Sequence, residues 1–114
     1  MAGLMLMLTW SAVQGQKSRA RIDNFNTTPL EKKILIEYDL LGEDPESSHQ
    51  IDLVVIDNVG NIVIPDSIKG DIGPGIMPGT DKRIIWNIYQ EFDVVHGGFE
   101  PQIVLDGNQK YGFK

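Results

Sequence analysis

The chain has 114 residues, with sixteen Asp and Glu against ten Lys and Arg and a formal net charge of -6. That is enough for one small domain, and the acidic balance excludes the basic stripe that nucleic acid or an anionic bilayer surface requires. Cysteine is absent, so disulfides, thiolate-ligated zinc, a cysteine nucleophile and a diacylglyceryl-cysteine anchor are excluded within this sequence.

Hydrophobic residues make up 41% and charged residues 23%, which is the balance of a chain that buries a core rather than a disordered one. The first fifteen residues differ from the rest. Leu4-Met5-Leu6-Met7-Leu8-Thr9-Trp10 is an apolar run extended through Ala12 and Val13. A bilayer span needs about 20 apolar residues, so the run is too short to cross one. Its length suits the h-region of a secretory signal, and Val13-Gln14-Gly15 offers permitted residues at the -3 and -1 positions of a cleavage site. Residues 1–15 are therefore expected to be a signal peptide, with Gln16 the mature N-terminus. No Lys or Arg precedes Lys17, so the positive n-region of such a signal is absent. The other reading of the run is an apolar helix or strand packed on the domain.

Residues 16–114 are expected to form a single domain whose period is two. Arg19-Ala20-Arg21-Ile22-Asp23-Asn24-Phe25 alternates charged and less polar residues and predicts an edge strand, which Asn26-Thr27-Thr28-Pro29 ends. Lys33 to Leu40 is the clearest strand, with Ile34, Ile36, Tyr38 and Leu40 on one face and Lys33, Glu37 and Asp39 on the other. Leu41 to Ser48 is polar, contains Gly42, Asp44 and Pro45, and predicts a loop. Gln50 to Ile56 is a β-branched strand with Ile51, Leu53 and Val55 on one side. Asp57-Asn58-Val59-Gly60-Asn61 is turn chemistry, and Ile62-Val63-Ile64 returns as the partner of a hairpin.

Gly70 to Gly79 carries four Gly and two Pro and predicts an ordered loop crossing between two sheets rather than a central strand. Lys82 to Ile88 follows as a strand with Ile84, Trp86 and Ile88 on one face. Gly97-Gly98 predicts a turn or bulge, Phe99 to Leu105 a strand, and Asp106-Gly107-Asn108 a turn that lets Tyr111 to Phe113 close a last hairpin. No 3.6-residue pattern persists, and there is no internal repeat. The prediction is an all-β, two-sheet antiparallel sandwich of about seven strands, whose edges are Arg19 to Phe25 and the C-terminal hairpin.

Several of these pieces occur together and in order: Ile34-Leu35-Ile36-Glu37-Tyr38-Asp39-Leu40, the hairpin around Gly60, Gly70-Asp71-Ile72-Gly73-Pro74-Gly75-Ile76, Pro78-Gly79 and Ile84-Ile85-Trp86-Asn87. The chain resembles, over roughly residues 20–106, a small immunoglobulin/fibronectin-type-III-like domain of bacterial envelope and secreted proteins. Such domains carry a YDL strand, a GDxGxGxxPG loop and an IxW strand, and are often found beside formylglycine-generating-enzyme-like domains. Two positions depart from the pattern. The turn Asp57 to Asn61 lacks a double Gly, and Asn87 stands where an Asp usually follows the Trp. The resemblance implies a periplasmic, cell-surface or secreted module with no catalytic, cofactor or metal residue to carry over. It implies a protein partner in a larger assembly and no membrane span in the mature chain.

Candidate chemistry is sparse. His49 and His96 are the only histidines; each falls at a strand or loop margin and is read as solvated, since a metal site would need both together with a carboxylate. Ser47, Ser48 and Ser67 lack the Gly-x-Ser-x-Gly elbow of a hydrolase. Glu43, Asp44 and Glu46 in one loop and Asp57, Asn58 and Asn61 in another have the wrong spacing for a calcium loop and read as turn residues. The Gly70 to Gly75 run lacks the Lys-Ser/Thr ending and following helix of a phosphate cradle; Asp71 is expected to bond backbone amides and stiffen it. Trp86 and Tyr38 are expected in the core, which leaves Tyr89 and Tyr111 as the candidates for stacking on a sugar. The sequence thus favours a non-enzymatic interaction module over a carbohydrate-binding one.

Overall fold

The computed structural model describes residues 19–92, 98–107 and 109–112. Residues 1–15, His96, Gly97, Asn108 and Phe113, on which several expectations fall, lie outside the described residues. The described strands are β1 (Ala20–Pro29), β2 (Ile34–Gly42), β3 (His49–Ile56), β4 (Ile62–Val63), β5 (Ile68–Gly70), β6 (Gly73–Ile76), β7 (Gly79–Trp86), β8 (Glu100–Leu105) and β9 (Gln109–Gly112), with a 3-10 turn at Ile88–Gln90. One sheet has the order β1-β2-β7-β5; the other has β4-β3-β8-β9, with β6 also paired to β3. Every pairing is antiparallel. With β6 set aside, this is the immunoglobulin-like arrangement of an A-B-E-D sheet and a C′-C-F-G sheet.

Period-two alternation builds the core. Ile36, Tyr38 and Leu40 of β2 and Ile84 and Trp86 of β7 are buried, as are Ile51, Leu53 and Val55 of β3 and Ile103 and Leu105 of β8. Trp86 has no exposed surface. The rings of Phe92 and Phe99 meet it edge-on, with centroids 6.5 and 5.8 Å away, the geometry in which aromatic pairs add to simple burial. Each large apolar side chain withdrawn in this way contributes about 1.5–3 kcal/mol.

Nine strands are present among the described residues rather than about seven: β4 is the expected hairpin partner, and the stretch after Pro65 adds β5 and β6 as pieces of three and four residues. The Gly70–Gly79 segment does cross between the sheets: β5 pairs with β7 in one, and β6 pairs with β3 in the other. The largest difference is in β1, which runs on through Asn26–Pro29 instead of ending there. The β1–β2 register shifts between Asp23 and Asn26, and Asn24 takes a φ of 51°. This is a bulge that absorbs one extra residue and lets pairing resume. Pro29 is tolerated because the next pair inward is the hydrogen-bonded one. The Leu30 amide donates to the Lys33 carbonyl at 2.8 Å, so Pro29, opposite Ile34, occupies a non-hydrogen-bonded pair and needs no N–H.

A second bulge lies on the other side of β2, where the β2–β7 register shifts between Tyr38 and Leu40 and Asp81 has a φ of 60°. Asp39 serves both. One carboxylate oxygen accepts from the Asn24 side-chain amide at 2.7 Å and the other from the Asp81 backbone amide at 2.9 Å. Those two hydrogen bonds, Asn24 first, hold its carboxyl below the usual aspartate value.

Glycine is obligatory at one point of the crossing. Gly70 has a φ of 118°, and a Cβ there would sit 2.3 Å from the Arg83 carbonyl oxygen. Gly75 also has a positive φ, but a Cβ there would meet open space. Gly70→Ala is expected to cost at least about 2 kcal/mol, from strain and displacement of β5 from β7, whereas Gly75→Ala costs about 1 kcal/mol from backbone strain alone. Urea unfolding of the two variants, followed by Trp86 fluorescence, checks the order. Equal midpoints would contradict this account of the crossing.

Candidate functional site

The acidic residues that crowd the loops are engaged in holding the backbone. Asp57 Oδ1 accepts from the amides of Val59 and Asn61 at 3.0 and 2.9 Å, closing the β3–β4 hairpin. Asp44 accepts from the Glu46 amide at 2.9 Å through its side chain and from the Ser47 amide at 3.1 Å through its carbonyl. Asp71 Oδ2 accepts from the Arg83 amide at 2.8 Å, and the Asp71 amide donates to the Arg83 carbonyl at 2.7 Å. The Asp71 carbonyl in turn accepts from the Tyr38 hydroxyl at 2.6 Å. Burial, with the Asp71 carboxylate adding to it, pushes the Tyr38 hydroxyl well above its ordinary pKa, so it stays a donor.

Glu91 was not singled out by sequence, yet its carboxylate gathers hydrogen bonds from two segments of the chain. Its Oε2 accepts from the amides of Asp66 and Ser67 at 2.9 and 2.7 Å and from the Trp86 indole N–H at 2.8 Å. Partial burial works against the charge. The bonds from Ser67, Asp66 and Trp86 outweigh it and hold the carboxyl below the usual glutamate value of 4.5. It lies just after the 3-10 turn at Ile88–Gln90, which swings the chain back beneath the buried indole.

His49 is not solvated, as its marginal position suggested, but 1% exposed. β3 starts one residue earlier than the sequence reading, and His49 shares the inward face of Ile51, Leu53 and Val55. Its Nδ1 lies 2.7 Å from Asp106 Oδ2, which selects the tautomer with the proton on Nδ1. Asp106 Oδ1 accepts from the Gln50 amide at 2.8 Å, and the Asp106 amide donates to the Gln50 carbonyl at 2.9 Å. The buried Nε2 has no hydrogen-bond partner among the described residues. The pair anchors the β8–β9 turn to the start of β3. Ser67 lies elsewhere, at the start of β5 beside Glu91. Among the described residues no three His, Asp or Glu side chains are grouped so as to hold a metal ion, and no helix is long and apolar enough to cross a membrane.

The aromatics divide between core and surface as expected except at Tyr111. Trp86 and Tyr38 are buried. Tyr89, in the 3-10 turn, is 45% exposed, whereas Tyr111 on β9 is half-buried and packs against the core.

The remaining feature is a break in the edge of the second sheet. The Gln50–Asp106 bond fixes the phase of the β3–β8 ladder, so Gln50, Asp52, Val54 and Ile56 direct their backbone groups toward β8. Ile51, Leu53 and Val55 direct theirs the other way. There Ile51 pairs with Gly73 of β6 and Val55 with Val63 of β4. No described strand pairs with Leu53 between them. A groove of about 550 Å³ opens at this point, lined among others by Leu53, Val54, Ile64, Ile68 and Ile72, with Asp52 its one charged lining residue. Of these Ile64 is 66% exposed, and Ile62, two residues before it on β4, is 62% exposed. A smaller hollow of about 390 Å³ lies at the start of β1, among Arg19, Arg21, Leu41 and Glu43. Comparison of the chain with family models, with curated proteins and with solved structures finds no match.

The Glu91 staple has a signed pH dependence. A carboxyl depressed in the folded state contributes stability that is fully present above the ordinary value of 4.5 and is lost as pH falls through the folded value. Glu91→Gln is therefore expected to lower the unfolding free energy by about 1–2 kcal/mol at neutral pH. The gap to wild type should narrow toward about pH 3. Urea titrations of both proteins at the two pH values check this, and a gap independent of pH would refute it.

Proposed function

We propose that this domain is a non-enzymatic interaction module that works outside the cytoplasm, as a small subunit or accessory of a bacterial envelope or secreted assembly. The observation that carries the reading is the break at Leu53. Between two short partner strands Leu53 turns its backbone N–H and C=O toward the gap, and an extended segment of another protein can enter there by strand addition. The groove sets the chemistry of that segment. Ile64, Ile68 and Ile72 favour apolar side chains at alternate positions, and Asp52 disfavours an acidic one. The exposed pair Ile62 and Ile64 would be covered in the same step, which supplies the apolar centre such interfaces need. Export is supported by the apolar run Leu4–Trp10 and the Val13-Gln14-Gly15 sequence after it. The envelope setting rests on the resemblance of the YDL, GDxGxGxxPG and IxW pieces.

Ile64→Lys places a charge at the rim of the groove on a side chain that is already 66% exposed, so the fold should tolerate it. Tagged wild-type chain, captured from its own cell envelope under gentle extraction, is expected to bring one stoichiometric partner. Ile64→Lys should retain at least about tenfold less of it. Equal retention by both proteins, or recovery of the wild type alone, would overturn the reading. N-terminal sequencing of the native protein tests export separately: a start at Gln16 supports it, and a start at Met1 or Ala2 refutes it.

A further inference from the structure

β1 has one side of its backbone that no described strand pairs with, and its pairing with β2 fixes which groups point there. The Glu43 amide donates to the Arg19 carbonyl at 3.0 Å, and the register continues with Ala20 opposite Gly42, Arg21 opposite Leu41 and Ile22 opposite Leu40. Hydrogen-bonded and non-hydrogen-bonded pairs alternate along an antiparallel ladder. Arg19, Arg21 and Asp23 therefore turn their amides and carbonyls toward β2, and Ala20 and Ile22 turn theirs to the open side. The side chains alternate too. Ile22 is buried, while the side chains of Arg21 and Asp23 are 65% and 51% exposed and only 4.0 Å apart at their nearest charged atoms. That loose contact does not hold Arg21 in place, while Asp23 is oriented by its Oδ1, which accepts from the Asn24 amide at 3.0 Å and leaves Oδ2 on the Arg21 side.

We propose that this edge pairs with the same edge of a second copy of the chain, antiparallel and centred on Ile22. The two Ile22 residues then exchange a pair of backbone hydrogen bonds. Arg21 of each copy falls opposite Asp23 of the other, in non-hydrogen-bonded pairs, where Cα atoms approach to about 4.5 Å and side chains are closest. The order of charges selects this register over its neighbours. Centring on Arg21 also sets each Arg19 opposite the other Asp23, but at the cost of two Arg21 side chains face to face at the centre. Centring on Ala20 sets Arg19 against Arg21, and centring on Asp23 sets two Asp23 carboxylates together. Like charges directly opposite destabilise a ladder.

The bulge at Asn24 confines the new pairing to the stretch from Ala20 to Asn24, so the dimer is a weak one, two-fold symmetric and self-complementary. It joins two copies of the four-stranded sheet edge to edge. β1 and β5 are the opposite edges of that sheet, and the groove reaches β5 through Ile68. Self-pairing therefore leaves the groove open, and the inference does not depend on the proposed function.

Sedimentation equilibrium of the full chain, from about 10 µM to about 1 mM, covers the range in which so small an interface associates. The wild type is expected to show a reversible dimer that weakens as salt is raised. Arg21→Asp and Asp23→Arg should each raise the dissociation constant at least about tenfold, and the double exchange should restore it to within about threefold. Ala20→Pro removes one edge amide per copy without touching the β2 ladder and should also weaken the dimer. A wild type that stays monomeric throughout overturns the proposal. So does a double exchange no better than its single components.

Discussion

Asp71 stands where the chain leaves one sheet for the other, and its amide, carbonyl and carboxylate are all bound to neighbours. Its amide and carboxylate bracket Arg83 in β7, and its carbonyl takes the hydroxyl of Tyr38 from the adjacent β2. The preceding Gly70 lets the backbone lie against the Arg83 carbonyl, closer than any side chain would permit. Everything after this point inherits its position from that contact. β6 reaches β3 only if β5 has been turned off β7 here, and the gap at Leu53 exists because β6 arrives short of β4. A crossing that is rigid by hydrogen bonding defines the groove as firmly as the strands do.

The sandwich has no disulfide between its sheets, and carboxylates serve as local fasteners instead. Asp39 steadies two bulges, Asp57 closes a hairpin, Glu91 ties Trp86 to the entry of β5, and Asp106 ties the last turn to β3. Each is a charged acceptor for backbone amides, which is stronger than a neutral pair and short in range. The net charge of -6 therefore reflects architecture more than an electrostatic surface for a ligand. The same economy makes the domain sensitive to acid, because Asp39 and Glu91 both ionise more readily folded than unfolded.

Alternation was legible wherever one face met the core. Ile36-Tyr38-Leu40, Ile51-Leu53-Val55 and Ile84-Trp86 appear at the predicted positions. The two-sheet plan followed from them and from the turn residues between. What was not legible depends on partners far along the chain. The extension of β1 past Asn26 needed a bulge stabilised by Asp39, fifteen positions away. The burial of His49 needed Asp106, fifty-seven positions away. Glu91 carried no signal because its three donors come from two other segments. The edge positions of β1 and β9 were anticipated, but the break at Leu53 was not. It is set by where β4 stops and β6 begins, and both are too short to show a period.

The strand order also governs when the core can close. Each sheet interleaves early and late segments: β2 needs β7, and β3 needs β8. Neither half of the chain can bury its own apolar face. During synthesis the faces of β2 and β3 wait for residues made some forty to fifty positions later. Contacts of such long sequence separation slow folding toward milliseconds or seconds. A chain of this order stays unfolded until its last strands emerge, and a truncation between β3 and β7 leaves β2 and β3 each with an open edge. Such a fragment is aggregation-prone rather than a smaller stable domain.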